Sequence, residues 1–207
     1  MQMEAAPNET SCESVSSCGD SMSWLKKRSS IGAPALLRSL GAVRWCGVTA
    51  CGLGHMWPAS GTWGSLPPVI LAVILAWFGV SHSVWLATML AVAFVATVMC
   101  LMWGDAAERA IRKKDPSHVV IDEVAGQALA LVLVWTPALE AGGMASLHHG
   151  LISAGSAFLL FRAYDILKPP PIRGLQKFHG GAGIVIDDLA AGVAAGLTQL
   201  LLRALFA

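Results

Sequence analysis

The sequence predicts an all-α, multi-pass transmembrane helical bundle of four to five spans, with its unusual polar loops gathered on the cytoplasmic face. Three observations predict it. Of 207 residues, 55% are hydrophobic and only 13% are charged, against about 25% charged in an ordinary soluble domain. From Trp45 to Gly104 there is no Asp, Glu, Lys or Arg at all, a stretch that water solvates poorly. The basic residues, finally, fall in alternate loops, as the positive-inside rule requires of a chain that crosses repeatedly.

The elements follow in order. Residues 1–35 are rich in Ser, Glu and small residues without apolar periodicity, the composition of a disordered tail, and 36–207 form the membrane-embedded domain. The tail lacks the charged start, apolar core and small-residue cleavage site of a signal peptide. Region 36–53 is apolar but carries Arg38 and Arg44, so it lies at the interface or re-enters. A spanning helix takes about 20 apolar residues, and shorter ones serve where the bilayer thins. Candidates lie at 66–80, 84–103, 124–139, 149–164 and about 186–206.

Lys26, Lys27 and Arg28 precede the first span, Arg109, Arg112, Lys113 and Lys114 follow the second, and Lys168, Arg173 and Lys177 follow the fourth. Loops 80–83 and 137–150 hold no Lys or Arg. This puts the N-terminus and the loops 104–123 and 165–186 in the cytoplasm. The polar stretches 54–65, 115–123 and 162–188 then share one face, which one site explains economically. The net charge of +1, with no basic stripe, argues against a nucleic-acid partner. The five cysteines form no CxxC pair, so neither zinc nor a disulfide framework is indicated.

Asp122 and Glu123 open one span and Asp187 and Asp188 another. Carboxylates favour helix N-termini by about 0.3–1 kcal/mol, but neighbouring helical residues point about 100° apart. Two adjacent acids therefore cannot both serve one cap. Gly126, Gly192 and Gly196 lie on the acids' faces, and small residues let membrane helices approach closely. Two acidic helix mouths brought together demand a cation, and oxygen ligands suit Mg²⁺.

Arg162, Asp165 and Lys168 share a helix face at i, i+3 and i+6. Ionisable groups at membrane depth are costly and functional by default. Pro169 to Pro171 stop the helix, fixing Arg173 at an offset from Lys168 that suits gripping a phosphate. "FHGGAG" (178–183) is a glycine-rich turn in which His179 is a candidate general acid. "SGTWGS" (60–65) offers the hydroxyls of Thr62 and Ser65, the latter also a candidate N-cap. His148 and His149 fall on the opposite side and receive no role.

In "GTWGSL" (61–66), "VIDEVAGQ" (120–127), "FRAYDILKPPPIR" (161–173) and "HGGAGIVIDDLAAGV" (179–193), the chain resembles the phosphatidylglycerophosphatase A family. The resemblance covers about residues 45–200. That family usually has Pro immediately before GTxGS, where this chain has Ser60, with Pro58 two residues earlier. The resemblance implies an enzyme of the bacterial inner membrane. It would hydrolyse the terminal phosphomonoester of phosphatidylglycerophosphate, a membrane phospholipid substrate, with Mg²⁺. On that basis Asp122, Glu123, Asp187 and Asp188 are expected to bind metal. Asp165, His179, Asp187 and Asp188 form the expected catalytic set, and Thr62, Ser65, Lys168 and Arg173 the expected substrate contacts. The rival is a small transporter or channel relaying ions along membrane-edge acids, which requires acids across the bilayer rather than at one face. A CDP-lipid transferase would want a denser run of aspartates.

Overall fold

The computed structural model describes residues 33–113, 116–170 and 180–206, and among them all regular structure is helical. Four helices are long and apolar enough to cross a membrane: α3 (Ser60–Trp77), α4 (His82–Ile111), α6 (Gly143–Leu167) and α7 (Gly180–Phe206). Three shorter ones, α1 (Ala33–Leu40), α2 (Ala42–Val48) and α5 (Ile121–Val132), complete the bundle.

The region 36–53 breaks into α1 and α2 at Gly41, whose φ of 79° suits glycine. α1 buries Leu36 and Leu40 and leaves Arg38 exposed, and both short helices pack on α4. Beyond α2 the chain turns sharply through Ala50, Cys51 and Gly52, all at positive φ. Thr49 locks the turn: its hydroxyl donates to the Trp45 carbonyl at 2.7 Å and accepts from the Gly52 N–H at 2.9 Å. The turn also holds the segment that leads into α5. The Val120 N–H donates to the Val48 carbonyl at 2.9 Å, and Gly54 lies so close to the His118 carbonyl that no Cβ would fit.

α5 corrects one expected span. It has only 12 residues, about 18 Å of helix against a hydrocarbon core of about 30 Å. Nine of those residues are buried, because α5 sits among α3, α4, α6 and α7 rather than facing lipid. Its N-terminal turn lies beside Gly61 and Gly64 of α3, and Glu140 and Gly142, beyond a 3₁₀ turn at Pro137–Leu139, lie beside Gly79 at the other end of α3. The segment 121–142 thus runs the full length of α3 with only its first half α-helical. The indole N–H of Trp85 donates to the Leu131 carbonyl at 2.9 Å, which also accepts from the Val134 N–H at 3.2 Å, so the end of α5 is tied to α4.

The long helices outrun their apolar cores. α4 continues to Ile111, about 45 Å in all, and stops where Arg112 turns left-handed. α3 starts at Ser60, so Ser65 lies in its second turn and is not the N-cap. α7 begins at Gly180, so the expected glycine-rich turn is, from residue 180 on, already helix. Gly181 rests on the Cys100 carbonyl, an approach only glycine permits, and its N–H is capped by Asp105 Oδ1 at 2.5 Å. Exposed Ile70, Phe94, Leu159 and Leu201 give the bundle a hydrocarbon exterior, as a lipid-facing surface requires.

Candidate active site

α5 and α7 meet backbone to backbone. A Cβ on Gly126 would lie 2.5 Å from the Asp188 carbonyl, and one on Gly192 would overlap the Gly126 carbonyl. Gly196 continues the contact against Ala130 and Leu133. The small-residue stripe therefore brings the two acid pairs together, with one amendment. Asp122 and Glu123 stand in the first turn of α5, whereas Asp187 and Asp188 lie two turns inside α7 and cannot be caps.

Glu123 is admitted by α3. Its carboxylate fills the space left by Gly61 and Gly64, and a Cβ on Gly64 would sit 2.5 Å from Oε2. Arg162 of α6 then bridges two elements: its Nη1 lies 3.4 Å from Glu123 Oε1 and 2.7 Å from Asp165 Oδ2. Lys168 follows at the α6 C-cap with φ of 41°, an uncommon conformation for a non-glycine residue. It stands 3.7 Å from Asp165 Oδ1 and hydrogen-bonds Asp187 directly. Glu123, Arg162, Asp165, Lys168 and Asp187 thus form a line of alternating charge across α5, α6 and α7.

These five side chains, with Asp122 and Asp188, line a cavity of about 310 Å³. Asp122, Asp187 and Asp188 are at most 5% exposed. Five carboxyl groups face two cationic side chains in the cavity wall among the described residues. Burial by itself pulls the Lys168 ammonium down. The hydrogen bond it donates to Asp187 and the charges of Asp187, Asp188 and Asp165 outweigh it, and the pKa is raised. Lys168 is therefore a cation throughout the neutral range. No three His, Cys, Asp or Glu side chains among the described residues form a ready-made metal cage.

Of the expected substrate contacts, Lys168 lines the cavity and Thr62 and Ser65 do not. The Ser65 hydroxyl is buried and donates to the Gly61 carbonyl at 2.9 Å. Ser60 and Ser117 line the cavity instead, and no spacing rule singled them out. Arg162 belongs to the site as well as to the ion line, through a partner 39 residues away. Arg173 and His179 lie outside the described residues. Beside Ser117, the rings of His118 and His55 stack with centroids 4.7 Å apart. Burial first, and then His118, hold the His55 pKa below its ordinary value.

The phosphatidylglycerophosphatase A family model matches residues 47–203. Phosphatidylglycerophosphatase A of Haemophilus influenzae is 34% identical over 150 residues, covering 69% of this chain and 77% of that protein. Its namesake in Escherichia coli K12 is 51% identical over 43 residues, covering 20% of this chain and 24% of that one. A Bacteroides thetaiotaomicron protein named "Putative phosphatidylinositol-3-phosphatase" is 40% identical over 80 residues. That match covers 39% of this chain and spans less than half, 44%, of the relative's length. No solved structure matches. The family and its named members support a phosphatidylglycerophosphatase, and nothing among them favours a transporter or channel. With the family match running through all four long helices and every acid of the cavity, the chain belongs to the phosphatidylglycerophosphatase A family.

Proposed function

We propose that the chain hydrolyses the terminal phosphomonoester of phosphatidylglycerophosphate at the acidic cavity, with Mg²⁺, at the cytoplasmic face of a bacterial inner membrane. One observation carries the reading. The family's polar strings converge from α3, α5, α6 and α7 on one cavity at one end of an otherwise apolar bundle. A lipid held there keeps its acyl chains in hydrocarbon while its phosphate reaches the acids and cations.

The donor set supports Mg²⁺ because it is all oxygen, buried, and in excess over its cations. Asp122, Glu123, Asp187 and Asp188 would hold the ion. When bound, Mg²⁺ supplies charge neutralisation for the phosphomonoester oxygens. The chain's own residues do the rest. Arg162 and Lys168 hold Asp165 between them, and that carboxylate orients the attacking water. Lys168, kept protonated, meets the incoming phosphate as a point charge, and Arg173 grips it with its bidentate fork. As the water oxygen bonds to phosphorus and its proton passes to Asp165, the bond from phosphorus to the glycerol oxygen breaks, and His179 protonates the departing oxygen.

Purified protein in detergent, given phosphatidylglycerophosphate with and without Mg²⁺, tests the proposal. Phosphate release should require the metal and should fall at least about a hundredfold in Asp188→Asn. No release by the parent, or equal release by the variant, sinks it. Phosphatidylinositol 3-phosphate, suggested by the name of the Bacteroides relative, is the comparison substrate and should be turned over more slowly.

A further inference from the structure

The segment entering α5 faces two spaces of opposite character. Val119 and Asp122 line the acidic cavity, while Ile121, between them, lines a second cavity of about 560 Å³. The other walls of that cavity are Val43, Cys46 and Gly47 of α2, and Met99 and Trp103 of α4. None of its lining residues is charged, although Ile121 and Asp122 are adjacent, with Cα atoms about 3.8 Å apart. The volume lies in the range of small-molecule sites. The wall between α2 and α4 is close-built: a Cβ on Gly47 would overlap the Trp103 ring and meet the Met99 methyl at 2.8 Å. The mouth is open at Val43, which is 74% exposed.

A ligand that fills both spaces must be ionic at one end and hydrocarbon at the other. We propose that the groove between α2, α4 and Ile121 seats one acyl chain of the lipid whose phosphomonoester enters the acidic cavity, an assignment that rests on the phosphatase reading of that cavity. It makes α2 part of the substrate site and gives the enzyme a means of preferring long-chain lipids over water-soluble phosphomonoesters. It also assigns a role to a neutral stretch that the catalytic argument leaves unused. The lipid is favoured over a protein segment because the groove adjoins the headgroup site through a single residue.

The test compares dioleoyl and dihexanoyl phosphatidylglycerophosphate in detergent for the parent, Val43→Trp and Ala42→Leu, with Leu159→Trp as an equally bulky change on the exposed face of α6. The parent should show the lower KM for the long-chain lipid. Val43→Trp should erode that preference about tenfold, Ala42→Leu should erode it less, and Leu159→Trp should leave it intact. Preference intact in both groove variants, or eroded equally in Leu159→Trp, overturns the assignment. Where a groove variant fails to elute as folded protein, the other variant and the following arm decide.

In that second arm, benzoylphenylalanine at position 43 is photolysed in vesicles containing phosphatidylglycerol. An adduct with lipid supports the groove as an acyl-chain seat; if the parent also hydrolyses neither substrate, the phosphatase reading fails and takes with it the link between the groove and the acidic cavity. An adduct with residues 1–32 or with a second copy of the chain, or no adduct, overturns the assignment.

Discussion

Arg162 is the residue that ties the acids of α5 to those of α6. It is only 15% exposed and touches Glu123 and Asp165, so removing it leaves two largely buried carboxylates without their shared cation. Arg162→Gln should lose about 3 kcal/mol of stability, read by thermal unfolding in detergent, and nearly all phosphate release. Arg162→Lys should recover part of the stability and little of the activity, because a point charge cannot serve two carboxylates as a fork does. Full activity in Arg162→Gln would remove it from the site. The i, i+3 pairing with Asp165 was legible in the sequence; the pairing with Glu123 was not, since only the packed bundle brings α5 against α6. The motif offers the hydroxyls of Thr62 and Ser65 as substrate contacts, yet in it the missing side chains of Gly61 and Gly64 make room for Glu123. His55 carries the pH prediction. Its folded pKa lies below the ordinary value, so the unfolded chain binds the proton more readily, and stability rises with pH across the window between them. It should be complete above about pH 6.5 and decline as the pH falls towards the folded value. Unfolding temperatures measured from pH 8 to 5 should show the decline, and His55→Phe should flatten it.

Among the elements, the joint between α5 and α7 decides whether the acids meet. Gly192 abuts the Gly126 carbonyl, a backbone atom that cannot step aside, whereas Gly155 of α6 has nothing within 4 Å of an added Cβ. Gly192→Ala should therefore cost about 1–3 kcal/mol and lower activity. Gly155→Ala should be neutral or stabilising by up to about 1 kcal/mol. Thermal unfolding of the two variants side by side checks both, and equal behaviour would refute the close joint. That joint could be anticipated, because glycine spacing relative to the acids is written in the sequence. The starts of the helices could not. Glycines at 180–183 have the composition of a turn, and they are helical because Cys100 and Asp105 of α4 receive them, a tertiary contact that local propensity does not contain. The apolar run at 124–139 hid the end of α5 in the same way, since hydropathy does not distinguish buried from lipid-facing residues.

For the whole molecule, the alternation of basic loops and the position of the acidic cavity make one orientation the expected one. Ser83 and Lys113 are exposed near opposite ends of α4, so in a cysteine-free background Ser83→Cys and Lys113→Cys should react with impermeant maleimide from opposite sides. In intact cells Ser83→Cys should label and Lys113→Cys should label only after permeabilisation; the reverse result would turn the site outward. The shortness of α5 bears also on how the protein is made. A 12-residue helix with two acids in its first turn is too brief for a translocation channel to release as a membrane segment by itself, and its neighbours α6 and α7 are synthesised after it. During that interval the centre of the bundle has no walls on two sides. The bundle consequently closes only when its C-terminal helices arrive, and a chain released before α7 offers cellular proteases an unfinished core rather than a weaker catalyst.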